Sequence, residues 1–91
     1  MIDKNKKYGI LGLARSGIAA AYKLKELGVI PFLSELRPQT DIPNAENLKK
    51  DFPCEFGGHT DKLLNCDCLI VSPGIPLNTS ILQKAKKRQI E

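Results

Sequence analysis

Apolar and polar positions along this chain fall into short blocks whose period switches between that of a strand and that of a helix. "KYGIL" (Lys7 to Leu11) is a compact run suited to a buried strand, and "GLARSG" follows it as a glycine-bearing turn. A helix is predicted from about Ser16, with Ala20, Leu24 and Leu27 on its apolar stripe, Lys23, Lys25 and Glu26 on its wet face, and Gly28 as its left-handed terminator. "VIPFLSE" (Val29 to Glu35) predicts a second strand, with Pro31 tolerated only near its start. The polar, proline-bearing stretch "LRPQTDIPNAEN" then reads as a loop, and a short helix is predicted from Asn44 to Asp51. "CEF" (Cys54 to Phe56) predicts a brief third strand before the turn "GGHTD", and a helical turn is expected over Asp61 to Asn65. "CLIVS" (Cys68 to Ser72) is continuously apolar and β-branched, the pattern of a strand buried on both faces, and "PGIP" ends it. Asn78 or Thr79 is expected to cap a last helix running to about Gln89, with Leu82 and Ala85 facing inward and Ile90 opening a further strand.

Strands alternating with helices through short turns imply an α/β domain: a parallel sheet with helices on both faces, a Rossmann-like three-layer arrangement. Ligands of such sheets bind beyond the carboxyl ends of the strands. Here those ends are "GLARSG", "SELR" and "SPGIP".

Each strand end offers distinct chemistry. Gly12 to Gly17 presents backbone N–H groups at a helix start, where unsatisfied donors and the positive dipole end suit a phosphate. Ser16 adds a hydroxyl and Arg15 a charge. The turn departs from the dinucleotide pattern G-x-G-x-x-G at Ala14, where a second glycine lets a pyrophosphate approach the backbone, and this counts against NAD. Glu35 stands where dinucleotide enzymes place a ribose-binding acid, so an NAD(P)- or flavin-binding oxidoreductase domain is the competing expectation. Arg37 offers a planar cation able to stack on a base. At the third end Ser72 supplies a hydroxyl, Pro73 fixes φ and Gly74 permits a tight turn.

With 91 residues the chain holds a single domain with one core, and its longest apolar run falls far short of the ~18 residues of a membrane span. No signal peptide is recognisable, and a cytoplasmic protein is expected. The net charge of +4 raises the question of nucleic acid. Its excess, however, gathers at Lys4, Lys6 and Lys7 and again at Lys84, Lys86, Lys87 and Arg88, where solvated ends and a helix C-terminus account for it. Neither a nucleic-acid nor a membrane partner is expected. Cys54, Cys66 and Cys68 cannot all pair, and with His59 they lack the C-x-x-C spacing of a zinc site, so reduced structural cysteines are expected, no metal, and a structural role for His59.

Taken in order and spacing, "GLARSG", "SELR", the "GGHT" turn and "LIVSPGIP" resemble the N-terminal domain of the Mur ligases, over essentially the whole chain. The resemblance implies that this domain binds UDP-N-acetylmuramoyl-L-alanine within an ATP-dependent ligase of peptidoglycan precursor synthesis that adds D-glutamate. By position it implies that Leu13, Ala14, Arg15, Ser16 and Gly17 contact the diphosphate. Glu35 would lie at the uracil or ribose, Arg37 would stack on the uracil, Leu36 between them would be a further substrate contact, and Ser72, Pro73 and Gly74 would line the crevice beside the diphosphate and sugar. In the family, ATP and magnesium belong to a central ATPase domain and the amino acid to a C-terminal domain. These 91 residues contain no G-x-x-x-x-G-K-[ST] loop and no comparable acidic cluster, so they are expected to bind substrate through residues 1–91, with no cofactor and no catalytic residue of their own.

Overall fold

The computed structural model describes residues 3–76 and 79–87. Strands β1 (Tyr8–Leu11), β2 (Phe32–Glu35), β3 (Cys54–Phe56) and β4 (Cys68–Val71) alternate with helices α1 (Arg15–Glu26), α2 (Ala45–Asp51) and α3 (Ser80–Lys87). Single 3-10 turns occupy Gln39–Asp41 and Asp61–Asn65. All strand pairs are parallel, in the order β3-β2-β1-β4. The chain therefore steps outward from β1 to β3 and then returns to the other side of β1. At that reversal the connections leaving β1 and β4 diverge and open a crevice above their carboxyl ends.

The two faces of the sheet follow from the alternation of side chains. Tyr8 and Ile10 of β1 and Leu33 of β2 join Ala21 and Leu24 of α1 and Leu48 of α2 in one core. Leu11 points the other way and packs with Leu63 and with Ile81 of α3. This is the expected α/β, Rossmann-like sandwich. Gly9 lies on the second face, where a Cβ would press on the Leu69, Cys66 and Leu63 side chains at 2.9–3.0 Å.

The Lys23–Val29 segment corrects two expectations. Gly28, at φ 88°, ends α1 as anticipated, with its N–H bonded to the Lys25 carbonyl and the Val29 N–H bonded to that of Leu24 at 2.9 Å. Val29 is thus held by the helix cap and Pro31 has no N–H to give, so β2 begins at Phe32 instead of Val29. The buried stripe of α1 is Gly17, Ala21 and Leu24, Ala20 is half-buried, and Leu27 lies 40% exposed where the chain turns away from the core.

The remaining elements fall close to their expected bounds. The principal correction is β4, which is half-buried along its length although its sequence is continuously apolar. Among the described residues it borders only β1, so one of its edges is not covered by a neighbouring strand. Thr79 precedes α3, and its carbonyl accepts from the Leu82 and Gln83 N–H groups, but its hydroxyl donates back to the Pro76 carbonyl and caps nothing. Ile81 and Ala85 face inward and Leu82 is half-buried. The expectations for Asn78, Arg88, Gln89 and Ile90 lie outside the described residues.

Candidate functional site

Three strand ends meet in a cleft of about 380 Å³ above β1, β2 and β4. The connection leaving β1 is held from both sides. The Gly12 N–H donates to the Ser34 carbonyl at 2.8 Å, and the Ser72 N–H to the Leu11 carbonyl at 3.0 Å. The Ser72 hydroxyl donates to the Gly12 carbonyl at 3.1 Å. Gly12 sits at φ 94°, and a Cβ on it would also strike Ser72, so glycine is required for both conformation and space.

Helix α1 starts directly at this turn. Ala14 occupies the N-cap without a side-chain hydrogen bond, and the first turn carries no acidic residue. No side chain of the helix itself therefore offsets the donors and positive dipole end of these twelve residues where they border the cleft. Gly17 lies beneath, so close to the Gly12 carbonyl that no Cβ fits between them.

The second strand end supplies the cleft's fixed charge. Glu35, only 5% exposed, accepts the Leu13 N–H through Oε1 at 2.8 Å and the Arg37 N–H through Oε2 at 2.9 Å. The Arg37 guanidinium folds back onto both oxygens, with Nε 3.3 Å from Oε2 and Nη2 3.4 Å from Oε1. Burial alone would raise the Glu35 pKa, but the hydrogen bonds from Arg37 and Leu13 outweigh it and hold the carboxyl below its ordinary value. Glu35 thereby ties the turn after β1 to the loop after β2. Arg37 keeps its other face toward solvent, with its side chain 51% exposed.

A further polar network lies under the cleft. The fully buried Ser34 hydroxyl is 2.6 Å from Glu55 Oε2 and 2.7 Å from His59 Nδ1, and Glu55 also accepts from the Thr60 N–H and hydroxyl. Burial, opposed by the nearby Glu55 and Glu35 carboxylates, lowers the His59 pKa and keeps the imidazole neutral at neutral pH.

Of the residues singled out in the sequence, Leu13, Ala14, Ser16, Glu35, Leu36, Arg37, Ser72, Pro73 and Gly74 line this one cleft. Arg15 is exposed outside it, and Gly17 supports it from below. The Leu13 N–H, expected at a diphosphate, is donated to Glu35. Leu36 is 66% exposed at the rim, an apolar surface held open to solvent. His59, Ile75, Pro76 and Thr79, which the sequence did not mark as ligand contacts, complete the lining together with Gly12, the first residue of the expected phosphate turn. Ile75 and Pro76 stand within the quoted "SPGIP", whereas nothing local to His59 signals that it faces the cleft.

The cysteines do not converge. Cys54 and Cys68 lie on the two outer strands, and Cys66 is buried beside Gly9. Burial pushes the Cys54 thiol up to about 11. Among the described residues no group of three or more His, Cys, Asp or Glu could hold a metal ion, and no helix is long and apolar enough to cross a membrane.

Comparison with known proteins shows the family of this chain. The chain is 41% identical over 87 residues to the UDP-N-acetylmuramoylalanine–D-glutamate ligase of Elusimicrobium minutum, covering 96% of the chain and 19% of that protein. It is 41% identical over 90 residues to the ligase of the same name from Streptococcus agalactiae, covering 96% and 20%, and 36% identical over 85 residues to that of Chlorobium phaeobacteroides, covering 93% and 18%. The chain thus spans about a fifth of the length of these relatives. Residues 6–91 match the family described as "Mur ligase MurD-like, N-terminal domain", and the chain belongs to that family.

Proposed function

We propose that this domain is the substrate anchor of a UDP-N-acetylmuramoylalanine–D-glutamate ligase and binds UDP-N-acetylmuramoyl-L-alanine in the cleft at the β1/β4 reversal. The observation that carries the reading is the meeting of the α1 N-terminus, the Glu35–Arg37 loop and Ser72–Gly74 around one cleft in a chain of this family. The diphosphate fits at the amides of the first turn of α1, with the Ser16 hydroxyl as a further donor. The uracil fits between the Arg37 guanidinium and Leu36, and Pro73 and Gly74 form the wall along the sugar. Glu35 acts on the ligand through the groups it positions, Leu13 and Arg37.

The work of this chain in that reading is to hold and orient. ATP and magnesium, which drive amide formation in such ligases, belong to the remaining ligase domains, as does D-glutamate, and the described residues present no acidic cluster fitted to the metal. In this reading the domain alone binds, and catalysis is left to those domains. A few charge-assisted hydrogen bonds of roughly 1.5–3 kcal/mol each, set against at least ~4 kcal/mol of lost freedom, give a Kd between about 1 mM and tens of micromolar for UDP compounds. The setting is the cytoplasm, where nucleotide-linked precursors are made.

An amide NMR titration with UDP-N-acetylmuramoyl-L-alanine, UDP and NADH tests this. Shifts at Leu13–Gly17, Arg37 and Ser72–Gly74 with the UDP compounds alone are the expected result. Shifts with NADH alone would transfer the cleft to a nicotinamide cofactor.

A further inference from the structure

We propose that His59 reads the nucleobase in this cleft, its Nε2 lone pair accepting a hydrogen bond from the imide N–H of uracil. The inference rests on the reading of the cleft as a UDP-sugar site and assigns within it a contact that none of the three strand-end motifs supplies.

The loop carrying His59 is fastened to the Glu35–Arg37 side of the cleft. The Gly57 N–H donates to the Arg37 carbonyl at 2.9 Å and the Gly58 N–H to the Glu35 carbonyl at 3.2 Å, so the loop after β3 rides on the loop after β2. Both glycines have positive φ, 82° and 152°, which allows the chain to turn His59 back toward Ser34.

The network beneath then determines the tautomer. Hydrogen bonds from Ser34 and Thr60, outweighing burial, hold the Glu55 carboxyl below its ordinary value, so it is ionised and accepts only. The Ser34 hydroxyl must donate its single proton to Glu55, and the 2.7 Å contact with His59 requires that Nδ1 carry a proton and donate to Ser34. In the neutral ring Nε2 is consequently a bare acceptor. It has no hydrogen-bond partner among the described residues, it is not a buried unsatisfied atom, and His59 lines the cleft.

The obvious rival for a base N–H is Glu35, and its capacity is filled. Its Oε1 accepts from Leu13 and Arg37 and its Oε2 accepts twice from Arg37, which occupies the four lone-pair positions of the carboxylate. Selectivity follows from the lone pair on His59. Uracil presents N–H at ring position 3, whereas cytosine presents a lone pair there, which Nε2 repels.

The test titrates the wild-type chain, His59→Asn and His59→Gln with UDP, CDP and N3-methyl-UDP by NMR. Asparagine sets an amide N–H near the Nδ1 position and keeps the bond to Ser34, while removing the acceptor. Glutamine reaches the Nε2 position and forfeits Ser34. The expected result is that wild type binds UDP about three- to tenfold more tightly than CDP or N3-methyl-UDP, and that His59→Asn folds normally and binds all three alike at the weaker level. Undiminished preference for UDP in His59→Asn, or no loss on N3-methylation in wild type, overturns the proposal. Should both variants fail to fold, the wild-type Nε2 nitrogen resonance decides: it must move with UDP and stay in place with N3-methyl-UDP. A wild type that binds no UDP at all refutes the underlying reading together with this inference, and that result is visible before any variant is made.

Discussion

The two ends of the sheet each carry a cleft, and the one at the carboxyl ends of the strands is the smaller. At the opposite end a hollow of about 470 Å³ is lined by Lys4, Lys6, Lys7 and Lys62 around Val29, Phe32 and Pro53. Its lysines are exposed, at the ends of long side chains with many rotamers to lose on meeting an anion. The carboxyl-end cleft of about 380 Å³ instead presents polar groups whose directions are already fixed: a helix start, a buried carboxylate, a backbone loop pinned at Gly12. Volume and charge favour the first, and preorganisation favours the second. The comparison teaches that a ligand site in this fold is identified by polar atoms that cannot move.

Paired glycine substitutions should break the comparison most visibly. Gly17→Ala drives a methyl into the Gly12 carbonyl, backbone against backbone, with no side chain able to yield. It should cost about 3–5 kcal/mol and lower Tm by more than about 10 °C in thermal denaturation. Gly28→Ala, in the lysine-lined hollow, meets only the flexible Lys4 side chain at 3.4 Å, so its penalty is the left-handed backbone alone, about 1–2 kcal/mol. Equal losses at the two glycines would remove the claim that the carboxyl-end turn is the more tightly constrained.

Glu35→Gln comes next. The amide can still accept from Leu13, but it loses the charge-assisted bonds to Arg37, at about 1–3 kcal/mol of stability, and UDP affinity should fall about tenfold or more as the two loops separate. The same carboxylate makes the fold acid-sensitive. Because it titrates below its ordinary value of 4.5 in the folded chain, the unfolded chain binds more protons between the two values. Its contribution is therefore full above pH 4.5 and disappears as the pH falls through the folded value. Denaturant titrations at pH 7 and pH 3 should show a smaller acid loss in Glu35→Gln than in wild type; equal losses would place the acid sensitivity in other groups, of which Glu55 is the first candidate.

What could be read in the sequence is what short-range rules govern. The strand runs, the Gly28 terminator and the cleft-lining positions of "GLARSG", "SELR" and "SPGIP" are legible because periodicity, glycine and proline constrain the backbone where they stand. The burial of β4 was not legible, since it depends on which strand lies beside it. Nor was the start of β2, where the capping bond from Val29 to Leu24 outranked an apolar run. The site divides in the same way. Glu35 was legible as an acid at a strand end, but the bond it accepts from a turn 22 residues away was not, and neither was the bond from His59 to a serine 25 residues before it. Local pattern places Glu35 at the cleft, and only the assembled sheet brings His59 there and shows which atoms of each remain available.

Arg37→Ala should act more narrowly. The guanidinium it removes is half exposed and the buried Glu35 carboxylate keeps its two backbone N–H bonds, so the cost should be about 1–2 kcal/mol, within the range expected for Glu35→Gln, and Tm should fall by less than in Gly17→Ala, while UDP affinity should fall about three- to tenfold through loss of stacking. A drop in Tm as large as that of Gly17→Ala would make Arg37 a structural residue first.

The smallest effect is expected at the other end. Replacing Lys7 and Lys62 together with alanine removes two positive charges from the larger hollow and no group from the carboxyl-end cleft. A four-residue strand separates the two ends by about 13 Å, beyond the screening length of about 8 Å at physiological salt. UDP affinity should therefore change by less than about twofold, and Tm should hold because both side chains are exposed. Isothermal titration of the double variant with UDP at physiological salt is the check. A fivefold or larger loss would mean that the phosphates sit among the lysines, and that mobile charge, not preorganised backbone, selects the ligand in this domain.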